Sequence, residues 1–236
     1  MTGSDDRYNM NGSSETEISE QQEGSKQSTA KRLLLMALFL VLLCTTTAIA
    51  TQLFSDAVPA VRIPVYLAAN LISGALALLF LRLTGMHVTI DLKNIRQYLV
   101  GILLALALLA GISVFQLLGI QVFEHKDLVL WKAIYSFLRF ILVIGPVEEL
   151  AFREYIQGTF LSLFKRYGWL AVLLTSLLFG LWHFIFSGDF LQLAFTTLIG
   201  AAIGFVRLRI KNGTYIAISL GHGLYDALLD VISYLV

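Results

Sequence analysis

Charged side chains are scarce in this sequence, and their scarcity excludes an ordinary soluble domain. Only 14% of the 236 residues are charged and 57% are hydrophobic. A soluble domain typically has about a quarter charged residues and under half apolar ones. The chain is therefore predicted to be a membrane protein. Its net charge of +1 also gives no basic excess for binding nucleic acid, so no nucleic-acid partner is expected.

Cysteine is almost absent as well. The single cysteine, Cys44, lies in an apolar run, so no intramolecular disulfide can form and a cysteine-based metal cluster is excluded. The sequence also has no internal repeat and no glycine-rich phosphate loop. We interpret Cys44 as a packing residue.

The chain divides into two parts by composition. Residues 1–30 are polar and almost free of aliphatic side chains, so they cannot bury enough surface to offset the entropy of ordering. We predict a disordered N-terminal tail over 1–30 and a transmembrane helical domain over 31–236.

The second part predicts an all-α, polytopic transmembrane helix bundle. A helix needs about 20 apolar residues to cross the hydrocarbon core. On that scale about seven spans are expected, at 33–54, 62–83, 97–120, 128–164, 168–187, 189–207 and 213–235.

The fourth predicted span is long and is interrupted at Gly145-Pro146, where a proline removes a helix hydrogen bond and favours a kink. If this span is counted as one crossing, most basic residues lie in connections on the same side of the membrane as the N-terminal tail. This is the distribution that the positive-inside rule requires. The N-terminus is then cytoplasmic, the C-terminus lies outside, and a multi-pass protein of the cell membrane is expected. The surplus length is assigned to an outer interfacial stretch around 122–138.

Several ionisable residues remain within the spans, where each is expected to need a partner, water or a function. Glu149 and Arg153 are four residues apart on one helix, with the acidic residue first, which favours an ion pair. Glu148 lies about 100° around the helix from Glu149. The spacing therefore predicts one paired carboxylate and one, Glu148, that faces a cavity and is the candidate base.

Histidines are found in two later spans. His183 lies in the fifth, and His222 lies in the seventh, four residues before Asp226 and on the same helix face. Counted along the helices, Glu148, His183, His222 and Asp226 all fall in the middle of the membrane, so they can form one site. The alternative is that these polar groups only hold helices together through interhelical hydrogen bonds.

A buried carboxylate can act as a general base on water, and histidines can orient that water or stabilise an oxyanion. Glu148, His183, His222 and Asp226 would also suit a Zn²⁺ site with an open position for water, although no HExxH helix is present. Serine catalysis has little support, since neither Ser176 nor Ser219 lies in a GxSxG turn.

Three spaced motifs resemble those of the CPBP family of intramembrane proteases, the CAAX protease and bacteriocin-processing (Abi) family. They are EExxxR at Glu148, Glu149 and Arg153, FxxxH from Phe179 to His183, and HxxxD from His222 to Asp226. The resemblance covers a core of about 128–235, and it is specific because three motifs coincide in order on successive spans.

The resemblance implies hydrolysis of a peptide bond within the membrane, with Glu148 and His183 activating water. It implies that His222 and the residue four positions on stabilise the oxyanion. Members have been described as metalloproteases, and a metal-free glutamate mechanism has also been argued, so Zn²⁺ stays open. The full expected set of site residues is Glu148, Glu149, Arg153, His183, His222 and Asp226.

Asp226 departs from the eukaryotic prenyl-protein members, which carry asparagine there. An asparagine amide donates to an oxyanion, whereas an ionised aspartate cannot. Asp226 is therefore expected to orient His222, to bind a metal, or to act as a protonated acid.

The expected partners are a membrane-associated peptide or protein substrate and the lipid bilayer. Two other functions stay open. The first is a non-catalytic member of the same family that confers bacteriocin immunity or binds a membrane sensor kinase. The second is a proton-coupled transporter, which the absence of repeated halves disfavours.

Overall fold

A computed structural model describes residues 11–123 and 125–235, with side chains from residue 28 onward. All regular secondary structure in this part of the chain is helical. Seven of its helical segments are long and apolar enough to cross a membrane. The predicted all-α, polytopic bundle is confirmed.

The seven spans agree with the predicted ones to within a few residues at each end, and the fifth agrees at both ends. We number them in chain order as span 1 (Ser28–Phe54), span 2 (Pro59–Leu83), span 3 (Ile95–Leu117), span 4 (Leu130–Leu163), span 5 (Gly168–Ser187), span 6 (Phe190–Arg209) and span 7 (Tyr215–Ile232).

The helix that contains span 1 begins earlier, at Asn11, and so overlaps the predicted polar tail of residues 1–30. Residues 1–10 of that tail lie outside the described residues. The disorder of the tail and the division at residue 30 stay predictions.

The bundle is built around two apolar clusters. One joins spans 1, 2, 4 and 5 around side chains such as Phe39, Phe80 and Tyr155. The other joins spans 3, 6 and 7 around side chains such as Leu108, Ile203 and Tyr225. Many large apolar side chains on the outer helix faces are exposed, as expected of surfaces that face lipid. The polar residues of spans 4, 5 and 7 come together between the two clusters.

Span 4 is one helical segment with an uneven pitch. Two π-helical stretches, Phe140–Ile144 and Leu150–Gln157, flank the short α-helix Gly145–Glu149. The backbone stays helical through Gly145 and Pro146, where the π-helix changes to an α-helix, and the kink stays a prediction. A proline ring clashes with the carbonyl group four residues back, and here that residue is in the wider turn of the first π-helix. Such π-turns are frequent at functional sites.

Two glycines allow spans 4 and 7 to touch through their backbones. A Cβ atom added to Gly145 would lie 2.5 Å from the carbonyl oxygen of Ser219 and 2.7 Å from the nitrogen of Gly223. A Cβ atom added to Gly223 would meet the carbonyl oxygen of Phe140 at 2.5 Å. Only glycine fits at either position, and this close approach brings Glu149 next to His222.

Candidate active site

The two adjacent glutamates of span 4 are both buried and face different neighbours. Glu149 points to Arg153 on its own helix, where Oε2 lies 3.3 Å from the arginine Nε. The ion pair predicted from the spacing is present. Glu148 instead lines two cavities, so the division into one paired and one cavity-facing carboxylate is confirmed.

Arg153 is one of the most deeply buried charged residues of the chain, with none of its side chain exposed. Its guanidinium carbon lies 4.7 Å from the centre of the Phe179 ring, a favourable cation–π position. Its N–H groups have no hydrogen-bond acceptor among the described residues. The charge is therefore compensated by Glu149 and by the face of Phe179.

His222 is held by the other oxygen of Glu149. Its Nδ1 atom donates to Oε1 of that residue over 2.7 Å, across the contact between spans 4 and 7. The sequence assigned Glu149 only to Arg153, and here Glu149 also holds Nδ1 of His222. Helical spacing could not reveal this contact, because it does not show which face of span 4 meets span 7.

The second nitrogen of His222 faces the two remaining carboxylates. Nε2 lies 3.8 Å from Oε2 of Glu148 and 3.5 Å from Oδ2 of Asp226. His222 is therefore fixed on one side by Glu149 and directed on its other side toward Glu148, the candidate base.

His183 is positioned by its own helix. Its Nδ1 atom lies 2.9 Å from the carbonyl oxygen of Phe179, which can only accept, so Nδ1 carries the hydrogen and a neutral ring keeps a free lone pair on Nε2. The ring packs edge-on against Phe179 and Trp182. No hydrogen bond joins His183 to Glu148 among the described contacts, but both line the larger cavity.

That larger cavity, of about 540 Å³, is lined by residues of spans 3 to 7. Glu148, His183, His222 and Asp226 all line it, as the sequence predicted. A smaller cavity of about 190 Å³ reaches Glu148 from the side of spans 1 and 2, and its lining includes Ser73 and Phe152. The Glu148 carboxylate therefore lies at the junction of two cavities.

Residues 130–228 match the family model of the type II CAAX prenyl endopeptidases, described as Rce1-like. Over these residues, which are less than half of the chain, it is similar to the Rce1-like family. The resemblance to the CPBP family is thus confirmed over spans 4 to 7, and it supports an intramembrane protease of the CAAX type. No curated protein and no solved structure matches the chain.

The matched region contains every predicted site residue, from Glu148 to Asp226. Spans 1 to 3 lie outside it. Spans 1 and 2 nevertheless contribute to the smaller cavity beside Glu148, so the site is completed by helices that precede the domain.

A metal site in the matched region would need several His, Cys, Asp or Glu side chains around one point. Among the described residues, no three His, Cys, Asp or Glu side chains are placed to hold one ion. The predicted set of Glu148, His183, His222 and Asp226 shares a cavity but does not have metal-site geometry. These four side chains therefore offer acid–base groups and no preformed metal site among the described residues.

Tyr215 supports the Rce1-like site and was missed by sequence reasoning. Its hydroxyl donates to the carbonyl oxygen of Pro146 over 3.0 Å, which ties the start of span 7 to the turn that carries Glu148 and Glu149. A tyrosine at the start of an apolar span gives no signal of such a role, since that position is common for membrane-boundary residues.

Two further acidic residues form ion pairs that join helical segments of the bundle. Glu154 accepts from Arg207 through both carboxylate oxygens, at 2.7 and 3.1 Å, and joins span 4 to span 6. Asp230 pairs with Lys126 at 2.7 Å and ties span 7 to the segment before span 4. Both therefore hold helical segments together.

Proposed function

We propose that the chain is an intramembrane endopeptidase that hydrolyses a peptide bond of a membrane-associated peptide or protein with a glutamate-activated water. The observation that supports this most is the shared cavity, in which Glu148, His183, His222 and Asp226 from three spans meet. The Rce1-like match over the same spans is consistent with it.

In the proposed reaction, water in the larger cavity is held between Glu148 and Nε2 of His183. Glu148 takes a proton from the water as the water oxygen attacks the carbonyl carbon of the substrate, so that a tetrahedral oxyanion forms. Glu148 then gives this proton to the amide nitrogen as the C–N bond breaks, and a carboxylic acid and an amine are released. Positioned proton transfer of this kind contributes about 10²–10⁴-fold to rate.

His222 and Asp226 act on the oxyanion in this scheme. When both ring nitrogens of His222 are protonated, Nδ1 donates to Glu149 and Nε2 donates toward the oxyanion. Asp226 can donate beside it only when protonated, since an ionised carboxylate has no hydrogen to give. Glu149 and Arg153 are positioning residues, because they act through His222 and not on the substrate.

The smaller cavity is proposed to receive an apolar side chain next to the scissile bond. It reaches the same carboxylate and is lined mainly by apolar groups of spans 1, 2 and 4. The larger cavity, with more polar lining, would hold water and the peptide backbone.

We further propose that the protein is embedded in the cell membrane with its N-terminus in the cytoplasm and its C-terminus outside. The basic residues Lys165, Arg166, Arg207, Arg209 and Lys211 then lie on the cytoplasmic side, in accord with the positive-inside rule. The N-terminal tail is proposed to end near residue 30.

The test is cleavage by purified protein. Full-length protein is incubated with candidate membrane peptides, and products are identified by mass spectrometry, with and without a chelator. The native chain should cleave, while Glu148→Gln and His183→Ala should lose activity and keep the thermal unfolding profile of the native chain. Unchanged proteolysis by Glu148→Gln would contradict the proposal. Chelation should have no effect, and a loss of activity on chelation would show that a metal takes part.

A further inference from the structure

A third cavity, of about 310 Å³, lies at the ends of spans 2, 4 and 7. Because successive spans cross in alternate directions, the start of span 2, the start of span 4 and the end of span 7 share one side of the bundle. We call it the basic pocket, and its polar lining includes Arg62, Lys132, Arg139, Tyr66, Tyr135 and Tyr234.

The charged side chains that line the basic pocket are all cationic. None of the described side chains that line it is acidic. None of Arg62, Lys132 and Arg139 lies within 4.0 Å of a described carboxylate oxygen in an ion pair. Cations that line one cavity repel one another, so their convergence favours an anion between them.

Arg139 supplies a second observation. Its Nε atom is buried and has no hydrogen-bond partner among the described residues. A buried donor without an acceptor is destabilising by about 1–3 kcal/mol, so an acceptor at this position would stabilise the fold. Arg62 is held in place by a hydrogen bond from Nη1 to the carbonyl oxygen of Ser55 over 3.0 Å.

The depth of the basic pocket indicates where its ligand comes from. Trp131 and Lys132 are exposed at the beginning of span 4, and Arg139 follows Trp131 by eight residues, about 12 Å along a helix. On the same span Ile134, Leu138 and Leu142 are exposed. The pocket thus runs inward from the membrane boundary beside an apolar surface that can carry an acyl chain.

We propose that the basic pocket binds the phosphate group of an anionic phospholipid. Arginine and lysine donate charge-assisted hydrogen bonds to phosphate oxygens. The tyrosine hydroxyls of the pocket add neutral donors. This site does not depend on the protein being a protease, although Arg139 also lines the larger cavity that contains Asp226.

The test is native mass spectrometry of the full-length protein in detergent. The protein is titrated with dioleoylphosphatidylglycerol, with dioleoylphosphatidylcholine, or with phosphatidylglycerol in the presence of inorganic phosphate. The native chain should bind phosphatidylglycerol at least tenfold more tightly than phosphatidylcholine, and millimolar phosphate should displace little of it. Equal binding of the two lipids would overturn the proposal. Full displacement by phosphate would show that the site takes a soluble anion and would overturn the lipid assignment.

Matched variants localise the effect. The double variant Arg62→Gln/Lys132→Gln should weaken phosphatidylglycerol binding about tenfold. The control Lys165→Gln/Arg166→Gln removes the same charge from exposed residues that follow the other end of span 4, and it should leave binding unchanged. An equal loss of phosphatidylglycerol binding in both variants would mean a diffuse electrostatic effect and would overturn the proposal that the basic pocket is the binding site. Size-exclusion profiles and thermal unfolding establish that both variants are folded.

Discussion

The Nδ1 atom of His222 lies 2.7 Å from Oε1 of Glu149, and this contact joins span 7 to span 4 at the centre of the site. The other oxygen of Glu149 faces Arg153. One carboxylate therefore positions the histidine and balances the buried arginine at the same time. Its neighbour Glu148 is left to face the cavities.

The shared role of Glu149 predicts a graded response to substitution. Glu149→Ala should lower kcat at least tenfold, because His222 loses the acceptor that fixes its ring. Glu149→Gln should recover part of that loss, since its amide oxygen can still accept from Nδ1. Steady-state kinetics on a cleaved peptide provide the measurement, with KM expected to change little. Equal activity in the two variants would argue against positioning through a hydrogen bond.

The buried ion pair predicts a strong coupling in stability. Arg153→Met leaves Glu149 buried beside an apolar side chain, and breaking a buried pair on one side typically costs about 3–5 kcal/mol. The double variant Glu149→Gln/Arg153→Met should be less destabilised than the sum of the two single variants. Thermal or denaturant unfolding of all four proteins in detergent completes the cycle. Additive effects would mean that the pair contributes no coupling energy.

The position of Asp226 near Nε2 of His222 predicts how it can be replaced. Asp226→Asn introduces an amide that can donate to the oxyanion, so cleavage should stay within about tenfold of the native rate. Asp226→Leu removes the polar group, and loss of one oxyanion donor typically lowers kcat by about 10²–10³-fold. Rates of the two variants on one peptide give the comparison. An inactive Asp226→Asn variant would instead show that the negative charge is required.

The smaller cavity predicts a change of specificity when it is filled. Ser73 is buried and lines it, so Ser73→Leu should reduce cleavage of peptides with large apolar side chains at the bond and spare those with small ones. A peptide mixture analysed by mass spectrometry measures the shift. The control is Leu71→Phe on the exposed face of the same helix, which should cleave as the native chain does. A uniform loss over all peptides would contradict a side-chain pocket.

Several features of this protein could be predicted from local sequence patterns. Span length and hydropathy gave all seven spans, because crossing the hydrocarbon core requires a minimum apolar length. The spacing of four residues placed Glu149 beside Arg153 and His222 on the face of Asp226. The three motifs indicated a similarity that the family model also finds over residues 130–228.

Other features depended on how the helices pack. The π-helical stretches on either side of Gly145–Glu149 could not be predicted, because helical periodicity assumes a uniform pitch. The bond from Tyr215 to Pro146 and the convergence of Arg62, Lys132 and Arg139 join residues far apart in sequence. A local sequence pattern does not show which distant residues come into contact.

The sequence by itself determined which ionisable residues are proposed to carry the chemistry and on which spans they lie, because these follow from residue type and span order. Only the tertiary structure decided which carboxylate faces which partner. That choice depends on the close backbone contact between Gly145 and Gly223, which turns Glu149 toward His222 and leaves Glu148 facing the cavities.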